Sequence, residues 1–165
     1  MKKILIINTG GTFNKVYNEI SGELEVSSDN SSVEEIIKTS FKNNIEITIK
    51  SILHKDSLDL TNEDRELILK ITEGYEKVLI VHGTDTIDIT ANYLSQNTKN
   101  KTIVLTGAMK PYSIEKIEAT SNLSISLFFL NNCNDSGVFV GMHGLVQKYQ
   151  NLKKNRKIGK FEIVN

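Results

Sequence analysis

Threonine hydroxyls follow directly after two glycine-containing segments of this chain, and they are the side chains best suited to covalent chemistry. Thr12 follows a pair of glycines, and Thr84 follows Gly83 within the segment H-G-T-D-T at residues 82–86. A threonine hydroxyl becomes a nucleophile only when an adjacent base removes its proton. Nucleophilic catalysis is therefore one hypothesis for these segments, beside plainer structural ones.

The glycine pair before Thr12 has three explanations. A tight turn is favoured for an isolated pair, because glycine lets the backbone turn sharply and approach other groups closely. A phosphate cradle is weakly supported, because neither G-x-G-x-x-G nor G-x-x-x-x-G-K-[ST] is completed. The third explanation, presentation of Thr12 as a nucleophile, stays open.

The pair Thr84 and Asp85 has two explanations. Taken alone it predicts a helix cap, with either residue capping a helix that starts near Thr86. The functional alternative is that Asp85 receives the ammonium group of a ligand while a nearby lysine of lowered pKa acts as a base on Thr84. Lys154 is the candidate for that lysine.

The three histidines are too far apart in sequence to form a metal motif, and no metal site is expected. His82 is interpreted as a buried core histidine with satisfied hydrogen bonds, and His143 is interpreted in the same way. His54 is expected on a surface loop. No organic cofactor is expected either.

Composition indicates an ordinary globular protein of 165 residues with 39% hydrophobic and 24% charged content. Twenty basic residues balance twenty acidic ones, so a general nucleic-acid binder is disfavoured. No apolar run approaches the roughly 20 residues of a membrane span. The basic segment at residues 153–157 is expected to be a solvated loop. A less favoured alternative is that it binds a nucleic-acid-linked substrate.

The amino terminus resembles a signal peptide only faintly, since its apolar run at residues 4–7 is interrupted by N-T-G-G. We expect a buried strand there and a cytoplasmic protein. The single Cys133 is compatible with a reducing compartment.

Short apolar runs alternate with segments of helical period, which predicts a mostly parallel sheet covered by helices on both faces. Strands are expected at residues 4–8, 13–18, 23–26, 45–53, 77–82, 102–106, 138–142 and 158–164, and helices at residues 33–42, 62–72, 86–96 and 114–130. The capping signals are Ser32 with Glu35 and Thr61 with Asp64. We predict one three-layer α/β/α domain, residues 1–165, with a β-hairpin after the first strand. Ligands of such sheets bind at the carboxyl ends of the strands.

The loops at those ends resemble the amino-terminal domain of the bacterial-type L-asparaginases, the asparaginase/glutaminase family. Five segments carry the resemblance: T-G-G-T-F at 9–13, D-S-L-D at 56–59, H-G-T-D-T at 82–86, G-A-M-K-P at 107–111 and N-L at 122–123. Taken together they are specific to this family. They span nearly the whole chain but only the first of the family's two domains, so the carboxy-terminal domain is expected to be absent.

The resemblance implies a catalytic role for five residues. Thr12 is implied to attack a side-chain amide and form an acyl-enzyme with release of ammonia. Tyr17 is similar to the family tyrosine that orients or activates this nucleophile. Thr84, Asp85 and Lys154 are similar to the second triad, which activates Thr84 or a water. Asp85 is also implied to accept the ammonium group of the substrate.

Substrate binding is likewise implied by the resemblance. Ser57 is implied to hold the substrate carboxylate, and Leu58 stands beside it where many family members carry a polar residue. Ala108 is implied to contact the departing amide. Backbone amides near Gly11 and Thr84 are the expected donors to the oxyanion, and Gly83 completes the substrate contacts.

Three hypotheses for function remain open. The first is an amidohydrolase acting on asparagine or a related small amide. The second is a non-catalytic module or partner subunit that kept the pocket and binds an amino acid. The third is an amidase acting on a larger amide, peptidyl or nucleic-acid-linked. A homo-oligomer is expected in each case, because loss of a partner domain leaves apolar surface to cover.

Overall fold

The computed structural model describes residues 3–165, which form ten strands and four α-helices. The strands are β1 (Lys3–Gly10), β2 (Lys15–Asn18), β3 (Glu23–Val26), β4 (Glu46–Lys55), β5 (Lys77–Val81), β6 (Thr102–Thr106), β7 (Gly137–Met142), β8 (Leu145–Lys148), β9 (Leu152–Asn155) and β10 (Lys160–Ile163). The helices are α1 (Ser31–Ser40), α2 (Asn62–Ile71), α3 (Ile87–Asn97) and α4 (Lys116–Asn132). None of these helices in residues 3–165 is long and apolar enough to cross a bilayer.

The central sheet has the strand order β4-β1-β5-β6-β7-β8. All pairs are parallel except the last, in which β8 runs antiparallel to β7. The chain leaves β1 toward β4 on one side and later returns to β5 on the other side. The carboxyl ends of β1 and β5 therefore flank a topological switch point, where open α/β sheets bind ligands.

Two apolar clusters cover the two faces of the sheet, because successive strand residues point to opposite sides. One cluster joins α2 and α3 to residues such as Leu5 and Ile80, and the other joins α1 and α4 to residues such as Ile6 and Leu79. All four of these strand residues are fully buried. The predicted three-layer α/β/α arrangement is confirmed.

The cap of α2 is confirmed as a capping box. The Asp64 N–H donates to the Thr61 hydroxyl at 3.2 Å, and the Thr61 N–H donates back to Asp64 Oδ2 at 2.9 Å. Each contact satisfies an N–H that the helix itself leaves unpaired.

The predicted cap of α1 is wrong. Asn30 occupies the N-cap position, and no side chain accepts a capping hydrogen bond there. The Ser32 hydroxyl instead donates to the buried Asn14 side chain at 3.1 Å, and Glu35 binds Lys116 at 2.9 Å. Tertiary partners therefore outcompete the local cap.

The hairpin after β1 is confirmed as β2 and β3, but its first strand begins later than predicted. Thr12–Asn14 form a 3-10 turn with Phe13 buried, and the strand begins only at Lys15. The turn is the element that carries Thr12.

A second ribbon follows the central sheet. The predicted final strand is confirmed as β10, and it pairs antiparallel with β9, placing Lys154 opposite Phe161. Strands β8 and β9 were not predicted from the sequence. The basic segment at residues 153–157 is therefore not a loop throughout, because Lys153 and Lys154 lie within β9.

Candidate active site

The loops after β1 and β5 touch through their glycines. Gly11 has a φ of +74°, and a Cβ built on it would lie 2.5 Å from the Cα of Gly83. Only a residue without a side chain allows this approach. Thr12 and Thr84 each follow one of these glycines, so the contact brings both threonines to the switch-point crevice.

A buried amide pair fixes the turn that carries Thr12. Asn14 Nδ2 donates to Asn8 Oδ1 at 2.8 Å and to the Gly10 carbonyl at 2.8 Å, and Asn8 Nδ2 donates to Asn14 Oδ1 at 2.9 Å. Both asparagines are buried. This pair was not predicted from the sequence, although an asparagine stands on each side of T-G-G-T.

The Thr12 hydroxyl is partly exposed and makes no hydrogen bond within residues 3–165. The expected partner Tyr17 lies on β2 with 63% of its surface exposed. Its hydroxyl lies at the hairpin turn, 4.0 Å from the position of a Cβ on Gly22. The structure thus places this hydroxyl beside the turn of its own hairpin.

Thr84, Asp85 and Lys154 meet directly. Lys154 Nζ donates to the Thr84 hydroxyl at 2.8 Å and to Asp85 Oδ1 at 2.8 Å, across 70 and 69 residues of sequence. Thr84 is buried, and the Lys154 side chain is only 14% exposed. An amine with two acceptors in a crevice of low exposure is suited to moving a proton to or from the hydroxyl.

The alternative explanation of this pair, a helix cap, is wrong. The N-cap of α3 is Thr86, and no side chain accepts a capping hydrogen bond there. The Thr84 and Asp85 side chains accept hydrogen bonds from Lys154 instead. A contact between distant parts of the chain therefore replaces the local helix cap.

Asp85 binds a second cation, Arg156, which was not predicted as a site residue. Arg156 NH1 donates to Asp85 Oδ1 at 2.6 Å, and Arg156 NH2 donates to the Asp85 carbonyl at 2.7 Å. The hydrogen bond from Lys154 lowers the pKa of Asp85 below its ordinary value, against the opposing effect of burial, and Arg156 lowers it further. Asp85 is therefore ionised at neutral pH.

Ser57 lies beneath Gly83. It is 1% exposed, and a Cβ on Gly83 would lie 2.6 Å from the Ser57 Cβ. The Ser57 hydroxyl accepts the Thr86 N–H at 3.3 Å, and its own hydrogen has no acceptor within residues 3–165. The neighbouring Leu58 is 70% exposed. This hydroxyl is therefore a free donor at the base of the crevice.

Asp56, one residue before Ser57, is already paired. Lys15 Nζ lies 3.0 Å from Asp56 Oδ2, and the Leu58 N–H donates to Asp56 Oδ1 at 3.2 Å. Burial acts to raise the pKa of Asp56, but these two hydrogen bonds outweigh it and keep the pKa below its ordinary value. The charges of Lys15 and Asp56 therefore cancel, and the ion pair carries no net charge.

The loop that carries Ala108 is clamped from α4. The Glu118 carboxylate accepts the N–H groups of Met109 at 2.8 Å and Lys110 at 3.0 Å, and Asn122 Nδ2 donates to the Gly107 carbonyl at 2.9 Å. Ala108 is itself buried. The role of Glu118 was not predicted, because its partners lie in a loop before the helix.

Asn122 also reaches the loop after β7, where its Oδ1 accepts the His143 N–H at 2.9 Å. Its amide therefore ties together the ends of two neighbouring strands. The Thr84 side chain lies beside this loop, since a Cβ built on Gly107 would lie 3.3 Å from the Thr84 Cγ2.

The prediction for His82 is confirmed. It is fully buried, its Nδ1 lies 2.7 Å from the Gly83 carbonyl, and its Nε2 lies 2.8 Å from the Thr90 hydroxyl. A neutral ring with hydrogen on Nδ1 satisfies both contacts, and burial lowers the pKa of His82 to about 4.

The other two histidines differ from expectation. His143 is not a core residue: it is partly exposed and its Nε2 lies 3.2 Å from Glu118. His54 is exposed as predicted but belongs to strand β4 rather than to a loop. Within residues 3–165, no group of three His, Cys, Asp or Glu side chains is placed to hold a metal ion.

The backbone N–H groups of the crevice differ in whether they are available to a ligand. The Gly11 N–H donates to the Lys55 carbonyl at 2.9 Å, which leaves it no hydrogen for a substrate oxygen. The N–H groups of Thr12 and Thr84 have no such partner within residues 3–165. A hydroxyl nucleophile, a lysine that can move a proton and N–H donors to an oxyanion are the groups that acyl transfer requires.

Comparisons with known proteins agree on one family. A family model described as "Asparaginase, N-terminal" matches residues 3–159. The L-asparaginase of Thermococcus kodakarensis is 26% identical over 171 residues, which cover 99% of this chain and 51% of that protein. A glutaminase-asparaginase of Acinetobacter glutaminasificans is 29% identical over 117 residues, covering 69% of this chain and 35% of that protein.

Solved structures show the same fold. The thermostable L-asparaginase from Thermococcus kodakarensis superposes with a TM-score of 0.85 at 26% identity, over 99% of this chain and 51% of that chain. The L-asparaginase I from Vibrio cholerae superposes with a TM-score of 0.84 at 24% identity. The chain thus spans about half the length of the relatives that it matches over almost all of its own length.

Proposed function

Because this chain belongs to the family of asparaginase amino-terminal domains, we propose that it is an amidohydrolase that converts a small side-chain amide, asparagine or a related one, to the acid and ammonia. The observation that carries the proposal is the contact of Lys154 with both Thr84 and Asp85 in the crevice that also holds Thr12. Thr84 and Asp85 lie in the middle of the chain, and Lys154 lies near its carboxyl end.

In the first step, Thr12 is the nucleophile. Its oxygen bonds to the amide carbon while the carbon–nitrogen bond breaks, and the hydroxyl proton leaves with the nitrogen as ammonia. Tyr17 orients or activates Thr12, which requires its hydroxyl to move from the hairpin turn where the structure holds it. The product is a threonine ester of the substrate acid.

In the second step, Thr84 and Lys154 direct a water to that ester. The water oxygen bonds to the ester carbon, the bond to Thr12 breaks, and the proton returns to the Thr12 oxygen. Asp85 holds Lys154 in place through the 2.8 Å contact. Proton transfer by a positioned group of this kind contributes about 10²–10⁴-fold to a rate.

The oxyanion of both steps is held by the N–H groups of Thr12 and Thr84, which have no backbone partner among residues 3–165, rather than by the Gly11 N–H. A donor of this kind is worth about 3–4 kcal/mol in the transition state. Gly11 keeps a role in substrate binding through its backbone, which packs directly against Gly83.

The substrate is held at the base and the mouth of the crevice. Ser57 donates its free hydroxyl hydrogen to the substrate carboxylate, Gly83 and Leu58 flank it, and Ala108 presents its backbone to the departing amide. The Asp85 carboxylate, whose side chain is 33% exposed, receives the ammonium group of the substrate.

A second candidate is a non-catalytic amino-acid-binding module. It is favoured by the Thr12 hydroxyl, which has no base as a hydrogen-bond partner within residues 3–165. It predicts tight binding of aspartate without any release of ammonia.

The test is ammonia release from asparagine, glutamine and a panel of capped or dipeptide amides by the parent protein, Thr12→Ala and Thr84→Ala. Turnover by the parent, lost in both variants, supports the proposal. Equal turnover by the parent and Thr12→Ala excludes Thr12 as the nucleophile. No turnover of any amide by the parent, with retained binding of aspartate, supports the binding module.

We also propose that the chain self-associates. Apolar side chains are exposed on α4, with Ile117 76% and Phe128 66% exposed, and a symmetric contact between copies would cover such surface. Light scattering of the purified protein tests this, and a mass of one chain at all concentrations contradicts it.

Cytoplasmic location is a further proposal, supported by the free thiol of Cys133. Cell fractionation tests it, and recovery of the protein outside the cytoplasm contradicts it.

A further inference from the structure

The tight turn between β7 and β8 consists of His143 and Gly144, whose φ values are +54° and +82°. A two-residue hairpin turn with two positive φ values follows the natural twist of the strands, and its first position favours asparagine, aspartate or glycine. The backbone of this turn therefore does not call for an imidazole, whereas the contacts of the ring do.

The His143 ring joins two elements that lie beside the site. Its Nδ1 accepts the Phe161 N–H of β10 at 3.3 Å, and its Nε2 lies 3.2 Å from Glu118 Oε1 of α4. The tautomer with hydrogen on Nε2 accepts at one nitrogen and donates at the other, so it satisfies both contacts. The ring also meets the Phe161 ring edge-on, with centroids 5.9 Å apart and an angle of 80° between the planes.

The contact with Phe161 reaches Lys154. Phe161 stands directly opposite Lys154 in the ribbon of β9 and β10. This ribbon is a two-stranded sheet of its own, so among residues 3–165 no strand ladder joins it to the central sheet. A backbone N–H carries one hydrogen, and the Phe161 N–H gives it to His143 rather than to β9. The histidine thus ties the ribbon to the end of β7 at the residue across from Lys154.

The contact with Glu118 reaches the loop that carries Ala108. The same carboxylate oxygen that meets His143 accepts the Met109 N–H at 2.8 Å, directly after Ala108. The turn of the ribbon approaches this loop too, since a Cβ on Gly159 would lie 3.9 Å from the Met109 Cε. One imidazole therefore connects the Ala108 loop with the ribbon that carries the lysine.

We propose that His143 is a positioning residue that holds the ribbon against the ends of the central strands and so fixes Lys154 Nζ at the Thr84 hydroxyl. It acts through the backbone of Phe161 rather than on the substrate. The inference rests on the proposed function and adds a residue to it. Because Lys154 moves a proton in that mechanism, loss of the ring lowers kcat and leaves KM nearly unchanged.

The experiment compares the parent with His143→Gly, His143→Asn and His54→Ala. Glycine and asparagine both suit the first position of this turn, so neither variant strains it. Glycine removes the ring entirely, whereas the asparagine Oδ1 can stand near the place of the histidine Nδ1 and accept the Phe161 N–H. His54→Ala is the control, because it removes an exposed imidazole from β4.

Ammonia release gives kcat and KM for the best amide, and hydrogen exchange followed by mass spectrometry reports on the ribbon at residues 152–163. We expect His143→Gly to lower kcat about 10–100-fold with KM within about threefold of the parent, since a small displacement of a catalytic group is costly. His143→Asn should recover most of kcat, and His54→Ala should keep kcat within about twofold of the parent. Exchange in the ribbon should be at least about fivefold faster in His143→Gly but not in the other two variants.

Four results overturn the inference. They are a parental kcat in His143→Gly, a raised KM with unchanged kcat, equal losses of kcat in His143→Gly and His143→Asn, and exchange that is unchanged in the ribbon or faster throughout the chain. Turnover by the parent with any of these results still supports the proposed function. Faster exchange confined to the ribbon of His143→Gly, with no ammonia release from any amide by the parent, contradicts the proposed function while supporting the hold of His143 on the ribbon.

Discussion

Gly11 and Gly83 are in backbone contact: a Cβ on Gly11 would lie 2.5 Å from the Cα and 2.6 Å from the nitrogen of Gly83. Neither residue has room for a methyl group, since the corresponding position on Gly83 is 2.6 Å from the Ser57 Cβ. Three loops of the crevice are thereby stacked, and their spacing depends on the absence of two side chains.

Gly11→Ala should lower the free energy of unfolding by about 2–4 kcal/mol, measured by urea denaturation. About 1 kcal/mol comes from an alanine at positive φ, and the rest comes from overpacking against Gly83. Gly74→Ala is the matched control. Gly74 has a φ of +81°, but no atom of the described part of the chain lies within 4 Å of its Cβ position, so Gly74→Ala should lose only about 1 kcal/mol. Equal losses in both variants would show that the close approach carries no cost.

Lys154→Met should reduce kcat/KM for the best amide substrate at least 100-fold, because the Thr84 hydroxyl loses the amine with which it can exchange a proton. Lys153→Met is the control on the opposite face of β9, where Nζ lies 5.7 Å from the centre of the Tyr149 ring. Its kcat/KM should stay within about twofold of the parent. Similar losses in both variants would point to a general effect of charge on the ribbon.

Acidification should destabilise the protein through His82. The folded state keeps a pKa of about 4 where the ordinary value is 6.5, so the unfolded chain binds the extra proton between these values. The free energy of unfolding should therefore fall by about 2 kcal/mol from pH 6.5 to 5. Denaturation at both pH values measures it.

Asp85 does not confound that window. The pKa of Asp85 is lowered from 3.8, first by the hydrogen bond from Lys154, so its contribution is present above 3.8 and is lost only at lower pH. His82→Asn should remove the slope between pH 6.5 and 5, and His54→Gln, at an exposed position, should keep it. A slope that survives in His82→Asn would assign it to other groups.

Asn122→Ala should cost about 2–4 kcal/mol of unfolding free energy, because the Gly107 carbonyl and the His143 N–H each lose their partner. Asn132→Ala is the control on the same helix, since among residues 3–165 that exposed side chain bonds only the Phe128 carbonyl of its own helix. It should lose no more than about 0.5 kcal/mol. Thermal unfolding of the two variants distinguishes a clamp between loops from ordinary helix effects.

Local signals predicted most of the sheet. Continuous apolar runs marked β5, β6 and β7, and the capping box at Thr61 was visible because both its members lie within one turn. Strands β8 and β9 were missed because each has only four residues, at least half of them polar, which is too short a pattern to stand out although their partners β7 and β10 are near in sequence.

The site residues likewise divide into those that the sequence predicted and those that it did not. Motif resemblance assigned Lys154 to Thr84, a contact across 70 residues that spacing alone does not specify. Arg156 was missed because its partner Asp85 is 71 residues away and its neighbours in sequence resemble an ordinary basic loop. The asparagine pair of the Thr12 turn was missed because each member is unremarkable until the turn closes.

The ribbon of β9 and β10 lies outside the central sheet, whereas Thr12 and Thr84 lie at the ends of strands within it. Lys154 lies on this ribbon, so its contact with Thr84 joins two separate sheets. A chain that ended before β9 would keep both threonines at the central sheet but would lack the lysine that contacts Thr84. During synthesis, this contact can therefore form only after the central parallel strands have been made.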